Sequence, residues 1–132
     1  MRHKPCLTAS DVQKMAAACR AEAEKNKWSV TFAITDDAGF LLYLERMEGA
    51  GPTSAEVAVA KAKTSAITRR PSKFWEDRIK DRPAFMNFPG VLQIQGGMPI
   101  TYENECVGAI GVSGVQSHED EQIAVAGIKA LG

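Results

Sequence analysis

Glycine punctuates the last third of this chain in a way that few folds can absorb. Gly96-Gly97-Met98-Pro99-Ile100 is followed by Gly108-Ala109-Ile110-Gly111-Val112-Ser113-Gly114. The acidic run Glu119-Asp120-Glu121 then leads into Ala124 and Gly127. Glycine inside strand-like sequence marks a bulge, or a place where another backbone or a ligand comes close. Acidic residues suit the first turn of a helix, where they meet the positive end of its macrodipole. The chain must therefore build glycine-bearing strands that feed a final helix and allow close packing against them.

The rest of the chain supplies the partners for those strands. Thr8 with Asp11 three residues later reads as a helix N-cap. Val12, Met15, Ala16, Cys19 and Ala23 then share one face, and the helix ends near Asn26. Val30, Phe32 and Ile34 alternate with Thr31, Ala33 and Thr35, the period-two mark of a strand. Asp36-Asp37-Ala38-Gly39 is a turn, and Phe40 to Leu44 returns as the second strand of a hairpin. Thr53 with Glu56 opens a second helix whose interior is small: Ala55, Ala58, Ala60, Ala62, Ser65 and Ala66. Side chains of that size let a helix approach a sheet, a partner or a flat ligand, and the sequence leaves these open.

From Arg69 to Gly90 the chain does not alternate. Pro71-Ser72 ends the second helix, and Ser72 is expected to cap a short third one through Lys80. The span reads as an excursion over the sheet, and long excursions often serve as lids. Val91 to Gln95, Ile100 to Glu103 and Val107 to Ser113 read as three further strands, with Asn104-Glu105 the turn between the last two. Ser117 with Asp120 caps the final helix, whose inner face is Ile123, Ala124, Gly127, Ile128 and Leu131. Short connections favour antiparallel pairing. The expected fold is an α/β (α+β) single domain over 1–132, a five-stranded antiparallel sheet with flanking helices.

Composition narrows the function classes. At 132 residues, 45% apolar and 24% charged, the chain suits one soluble globular domain. A formal net charge of zero gives no general case for nucleic acid or membrane partners. No apolar run approaches the roughly 18 residues of a spanning helix. Met1 to Pro5 is basic, but no apolar stretch of a signal peptide follows, so a cytoplasmic location is expected. Cys6, Cys19 and Cys106 are odd in number and far apart, which favours reduced thiols over a disulfide framework.

No standard catalytic motif is present: no G-x-S-x-G elbow, no P-loop, no H-E-x-x-H. The best-placed chemistry is Arg46-Met47-Glu48, at a strand end just before a glycine loop and a capped helix. Lys61, Gly96 and Gly97 are expected to converge on the same cleft, with Arg70 supplied by the excursion. An internal Glu48–Lys61 or Glu45–Arg46 ion pair is the alternative. His118, at the start of the last helix, joins Glu48 and Lys61 as an acid–base candidate. Between Arg69 and Arg82, six basic residues stand against three acidic ones with Phe74 and Trp75 interleaved, a pattern suited to carboxylate ligands or to a solvated helix.

The order of these motifs resembles the GlcG/HbpS family, which also includes the C-terminal domain of PduO-type corrinoid adenosyltransferases. The resemblance rests on Arg46-Met47-Glu48-Gly49-Ala50, Lys61-Ala62-Lys63-Thr64-Ser65-Ala66 and the glycine-rich strands, and it runs from about Thr8 to Leu131. It implies a profilin-like arrangement and a homo-oligomer that binds a small molecule, with haem or a related tetrapyrrole or corrinoid as ligand. Family members in catabolic operons imply the alternative, a cofactor-free enzyme or accessory protein acting on a small carboxylic or hydroxylated metabolite. In several members a histidine of the first helix is an iron ligand. The first helix of this chain has no histidine. Met15 and Cys19 are the soft side chains on its apolar face, and His3 precedes it, so these three are the candidate iron ligands.

Overall fold

The computed structural model describes residues 1–132. Four helices and four strands follow in the order α1 (Ala9–Lys25), β1 (Thr31–Asp36), β2 (Leu41–Arg46), α2 (Thr53–Thr68), α3 (Ser72–Asp81), β3 (Gly97–Tyr102), β4 (Glu105–Ser113) and α4 (Ser117–Lys129). A short 3-10 turn over Pro83–Asn87 follows α3. The strands form one antiparallel sheet in the order β2-β1-β4-β3. No helix is long and apolar enough to cross a membrane.

The sheet is the middle of three layers. Phe32 and Ile34 of β1 and Ile110 and Val112 of β4 point to α1 and α4, where Met15, Cys19, Ile123 and Ala124 complete the larger core. The alternate residues Ala33 and Ala109 meet Ala58, Ala62 and Ala66 of α2 on the other face. The small residues of α2 therefore pack against the sheet. Their role is closeness: a Cβ at Gly111 would lie 2.1 Å from the Ala58 carbonyl oxygen, and one at Gly97 would lie 2.3 Å from that of Lys61. Glycine in these strands is the space into which α2 sinks.

The sheet has four strands where five were expected. Val91 to Gln95 alternates in sequence but finds no strand partner. Two of its backbone donors are taken by helix side chains instead, Leu92 N–H donating to Thr64 Oγ1 at 2.8 Å and Gln95 N–H to Glu76 at 3.1 Å, while Val91 and Ile94 N–H go to the Phe88 and Leu92 carbonyls. The segment lies against α2 and α3, and pairing begins at Gly97. The turn into β4 sits at Glu103-Asn104, one residue earlier than expected, with φ of 51° and 63°. Two consecutive positive φ values suit a tight hairpin matched to strand twist.

The first helix starts as its sequence says. Thr8 Oγ1 accepts from Asp11 N–H at 3.2 Å, and the Asp11 carboxylate accepts from Thr8 N–H at 2.8 Å. Leu7 and Val12 flank this box at the positions of a hydrophobic staple. The other three expected caps are each displaced. Thr53 and Ser72 are the first residues inside their helices, behind Pro52 and Pro71, which offer no capping side chain. Ser117 is likewise inside α4, where Gln116 is the N-cap and the Glu119 carboxylate accepts from Gln116 N–H at 3.1 Å. The Ser72 hydroxyl instead accepts from Gly97 N–H at 2.8 Å, tying α3 to the first residue of β3.

Candidate functional site

Three of the expected site residues come together, in a closed contact. Lys61 projects from α2 toward the end of β4 and is 2% exposed. Its ammonium donates to the Val112 carbonyl at 2.9 Å and to Asp120 Oδ2 at 3.0 Å. Asp120 Oδ1 accepts from Val115 N–H at 3.1 Å, so the carboxylate also holds the loop into α4. Burial pushes the Asp120 carboxyl above the usual range, against the opposing pull of the Lys61 charge and these hydrogen bonds. Gly96, at φ 133°, leaves room for the lysine stem: a Cβ there would lie 2.7 Å from the Lys61 ammonium. Every polar atom of the pair is engaged, and α2, β4 and α4 are pinned at one point.

The remaining cleft candidates stand apart from it. Glu48 is exposed in the loop after β2 and forms no ion pair. Met47 packs on the larger core, and Arg46 donates to the Ala50 carbonyl at 3.1 Å. Glu45, which the sequence offered as an Arg46 partner, is held by Arg20 through two hydrogen bonds and by the Tyr43 hydroxyl. Arg20 thereby keeps the Glu45 carboxyl below its ordinary value. Arg70 lies over the Phe74 ring at 4.2 Å from its centroid, a cation–π contact. His118 is exposed on the first turn of α4, beside an open groove shared with Glu22 and Glu121. Glu48, Lys61 and His118 share no hydrogen bond and no cavity.

Of the candidate iron ligands, Met15 and Cys19 are fully buried in the core under α1. The Cys19 thiol donates weakly to the Ile123 carbonyl at 3.7 Å, and burial pushes its pKa up to about 12. His3 is exposed on the segment that precedes α1. No three His, Cys, Asp or Glu side chains gather as a metal site.

Two further hollows with mainly apolar lining lie at the start of α1. A hollow of about 250 Å³ is lined by Pro5, Cys6, Leu7, Tyr102, Val107 and Leu131, with Asp11 at its rim. Across Leu7 a second hollow of about 270 Å³ is lined mainly by Val12, Gln13, Leu42 and Tyr43. The first combines apolar walls with two side chains able to ligate iron, the Cys6 thiol and the Tyr102 phenol. Sequence reasoning treated Cys6 as a plain reduced thiol and Tyr102 as a strand residue. The available signal was the apolar Pro5-Cys6-Leu7 run abutting a strong helix cap, which fixes those residues against the domain. Asp120 was read as a helix-start acid, and nothing in one dimension links it to Lys61, 59 positions away.

The fold and this site define a small α/β/α sandwich built on an antiparallel sheet, closed at Lys61 and open beside Leu7. A family model described as haem degrading protein HbpS-like matches residues 7–129, and the chain belongs to that family. Protein GlcG of Escherichia coli K12 is 38% identical over 114 residues, covering 86% of this chain and 85% of GlcG. A crystal structure of a double mutant of HbpS from Streptomyces reticuli superposes with a TM-score of 0.93 at 34% identity, over 100% of this chain and 91% of HbpS. The crystal structure of a PduOC–haem complex shares the fold, with a TM-score of 0.89 at 24% identity over 96% of this chain and 95% of PduOC.

Proposed function

We propose that this protein is a homo-oligomeric ligand-binding protein that takes haem or a related tetrapyrrole or corrinoid. Its seat is the hollow beside Leu7. The observation that carries the reading is the donor set of that hollow: a thiol and a phenol at the rim of an apolar wall formed by Leu7, Val107 and Leu131. A macrocycle is flat and apolar and needs such a wall plus one axial donor, and both Cys thiolate and Tyr phenolate serve as axial ligands to haem iron. The donor chemistry of the hollow therefore suits the iron, with most of the macrocycle lying outside a hollow of about 250 Å³. Cys6 or Tyr102 would hold the iron, with His3 on the same terminal segment as the alternative donor. Membership of the HbpS-like family and the haem complex of a protein with the same fold support the ligand class.

The test is a haemin titration of the purified protein followed by absorbance, with Cys6→Ala, Tyr102→Phe and His3→Ala alongside. Wild type should show a saturable Soret shift. One of the three substitutions should abolish it or raise the dissociation constant about tenfold, equivalent to roughly 1.4 kcal/mol. No saturable shift, or one that survives all three substitutions unchanged, would remove this ligand from consideration.

A further inference from the structure

Of nine exposed large apolar side chains, four fall on one strip where the β1–β2 hairpin meets α2: Phe40 (72% exposed), Leu41 (47%), Leu44 (41%) and Ile67 (39%). Leu41 stands opposite Thr35 and Leu44 opposite Ala33, so both project from the α2 side of the sheet. Helix α2 leans over β1, β4 and β3 and leaves that side of β2 open. Its opposite flank is already used, because Thr64 Oγ1 accepts from Leu92 N–H and Thr68 Oγ1 from Trp75 Nε1–H. Between α2 and β2 runs a groove of about 390 Å³ lined by Leu44, Ala55, Glu56, Val59, Ala60 and Lys63. A contiguous apolar strip with a charged rim marks an interaction surface.

Charge identifies the occupant. Glu56 and Lys63 flank the groove and have no ion-pair partner within the chain. They are seven residues apart, two turns and about 10.5 Å along the same face of α2. A twofold axis between Val59 and Ala60 would set a second α2 antiparallel to the first. Glu56 of each copy would then meet Lys63 of the other, satisfying both pairs at once, as an isologous interface requires. Small Ala55 and Ala60 let the two helices approach, and Leu44 of each copy is covered from the side. The register irregularity in β2 opposite Ile34-Thr35 disfavours simple strand addition along the edge, so face docking is the available mode.

We infer that the α2–β2 groove is the interface with a second copy of this chain, joined through antiparallel α2 helices and reciprocal Glu56–Lys63 pairs. The inference rests on the homo-oligomer reading above and is independent of the ligand. Light scattering and sedimentation at micromolar concentration test it on wild type, Glu56→Lys, Lys63→Glu, the double exchange Glu56→Lys/Lys63→Glu, and Leu44→Asp. Circular dichroism confirms that each variant is folded. Wild type should be a dimer or a multiple of one. Each single charge reversal sets like charges together and should raise the dissociation constant about tenfold or more. The double exchange restores opposite pairs and should recover wild-type mass. A wild-type oligomer that no variant perturbs, or a double exchange no better than the single ones, overturns this interface and leaves the homo-oligomer standing. A monomeric wild type overturns both.

Discussion

Lys61 and Asp120 show how a charged residue can be part of a core. Their side chains are 2% and 3% exposed, and their 3.0 Å contact joins α2 to α4. Taking one charge from a buried pair strands the other, which costs about 3–5 kcal/mol. Lys61→Met is therefore expected to lower unfolding free energy in urea by about that amount. The double variant Lys61→Met/Asp120→Asn removes both charges while Asn keeps an oxygen for Val115 N–H. It should recover at least half of the loss. Acid provides a second signature. The Asp120 carboxyl already sits above its ordinary value through burial, and loss of the lysine raises it further. A folded carboxyl with a raised pKa binds its proton more readily than the unfolded one, so its contribution is fully present below the unfolded value and is lost as pH rises through the folded value. The single variant should regain stability on mild acidification, and the double variant should not. Equal losses in both variants would show that the ammonium's hydrogen bond to the Val112 carbonyl, which neither variant keeps, and not the stranded charge, is what matters.

At the scale of elements, the contact between α2 and the sheet was the most legible part of the fold. Ala58, Ala62 and Ala66 in the helix and Gly111 and Gly97 in the strands read as close approach, and close approach is what they make. The expected consequence is specific. In Gly111→Ala the new methyl would meet backbone atoms, the Ala58 carbonyl oxygen at 2.1 Å and the Ala62 nitrogen at 2.4 Å. Neither yields without moving the helix, so a loss of about 3 kcal/mol in urea unfolding is expected, at the upper end of overpacking costs. Gly51→Ala, with nothing within 4 Å of its added methyl, should change stability by less than about 1 kcal/mol. Similar losses at the two positions would refute the close-packing account. The caps were less legible, because a hydroxyl near a helix start has more than one use. Ser54 bonds the Gly51 carbonyl and Thr31, and Ser72 serves Gly97. Val91 to Gln95 misled for a related reason: alternation describes side chains, while the strand is decided by what the backbone donors find.

The whole molecule adds what no single element states, namely that one wall of the candidate site is the segment before α1. Lys4 pairs with Asp37 in the β1–β2 turn at 3.0 Å, and Arg2 pairs with Glu105 at the β3–β4 turn. The two hairpin turns stand at the same end of the sheet, and the segment is strapped across both. It then delivers Cys6 and Leu7 to the hollow, where the Leu7 side chain covers Gly108 so closely that a Cβ there would lie 2.8 Å from it. None of this was legible in the chain order, which separates Lys4 from Glu105 by about a hundred positions, and the basic tail was weighed only as the start of a signal peptide. The strap's anchoring titrates. The hydrogen bond from Lys4 holds the Asp37 carboxyl below its ordinary 3.8, so the folded form binds fewer protons than the unfolded one. That contribution is present above about pH 4 and is lost as pH falls through the lowered folded value. Backbone order parameters measured by NMR report the result directly. In wild type near neutral pH, Cys6 and Leu7 should be as ordered as α1, with S² near 0.85. In Lys4→Met, or in wild type once pH has fallen through the lowered Asp37 value, they should fall toward the flexible range below about 0.6 while α1 holds. Haemin affinity should fall in the same variant if the hollow is the seat proposed for it. Unchanged order at Cys6 and Leu7 in Lys4→Met would mean that the staple between Leu7 and Val12 holds the segment without the ion pairs, and the strap would then have no part in shaping the site.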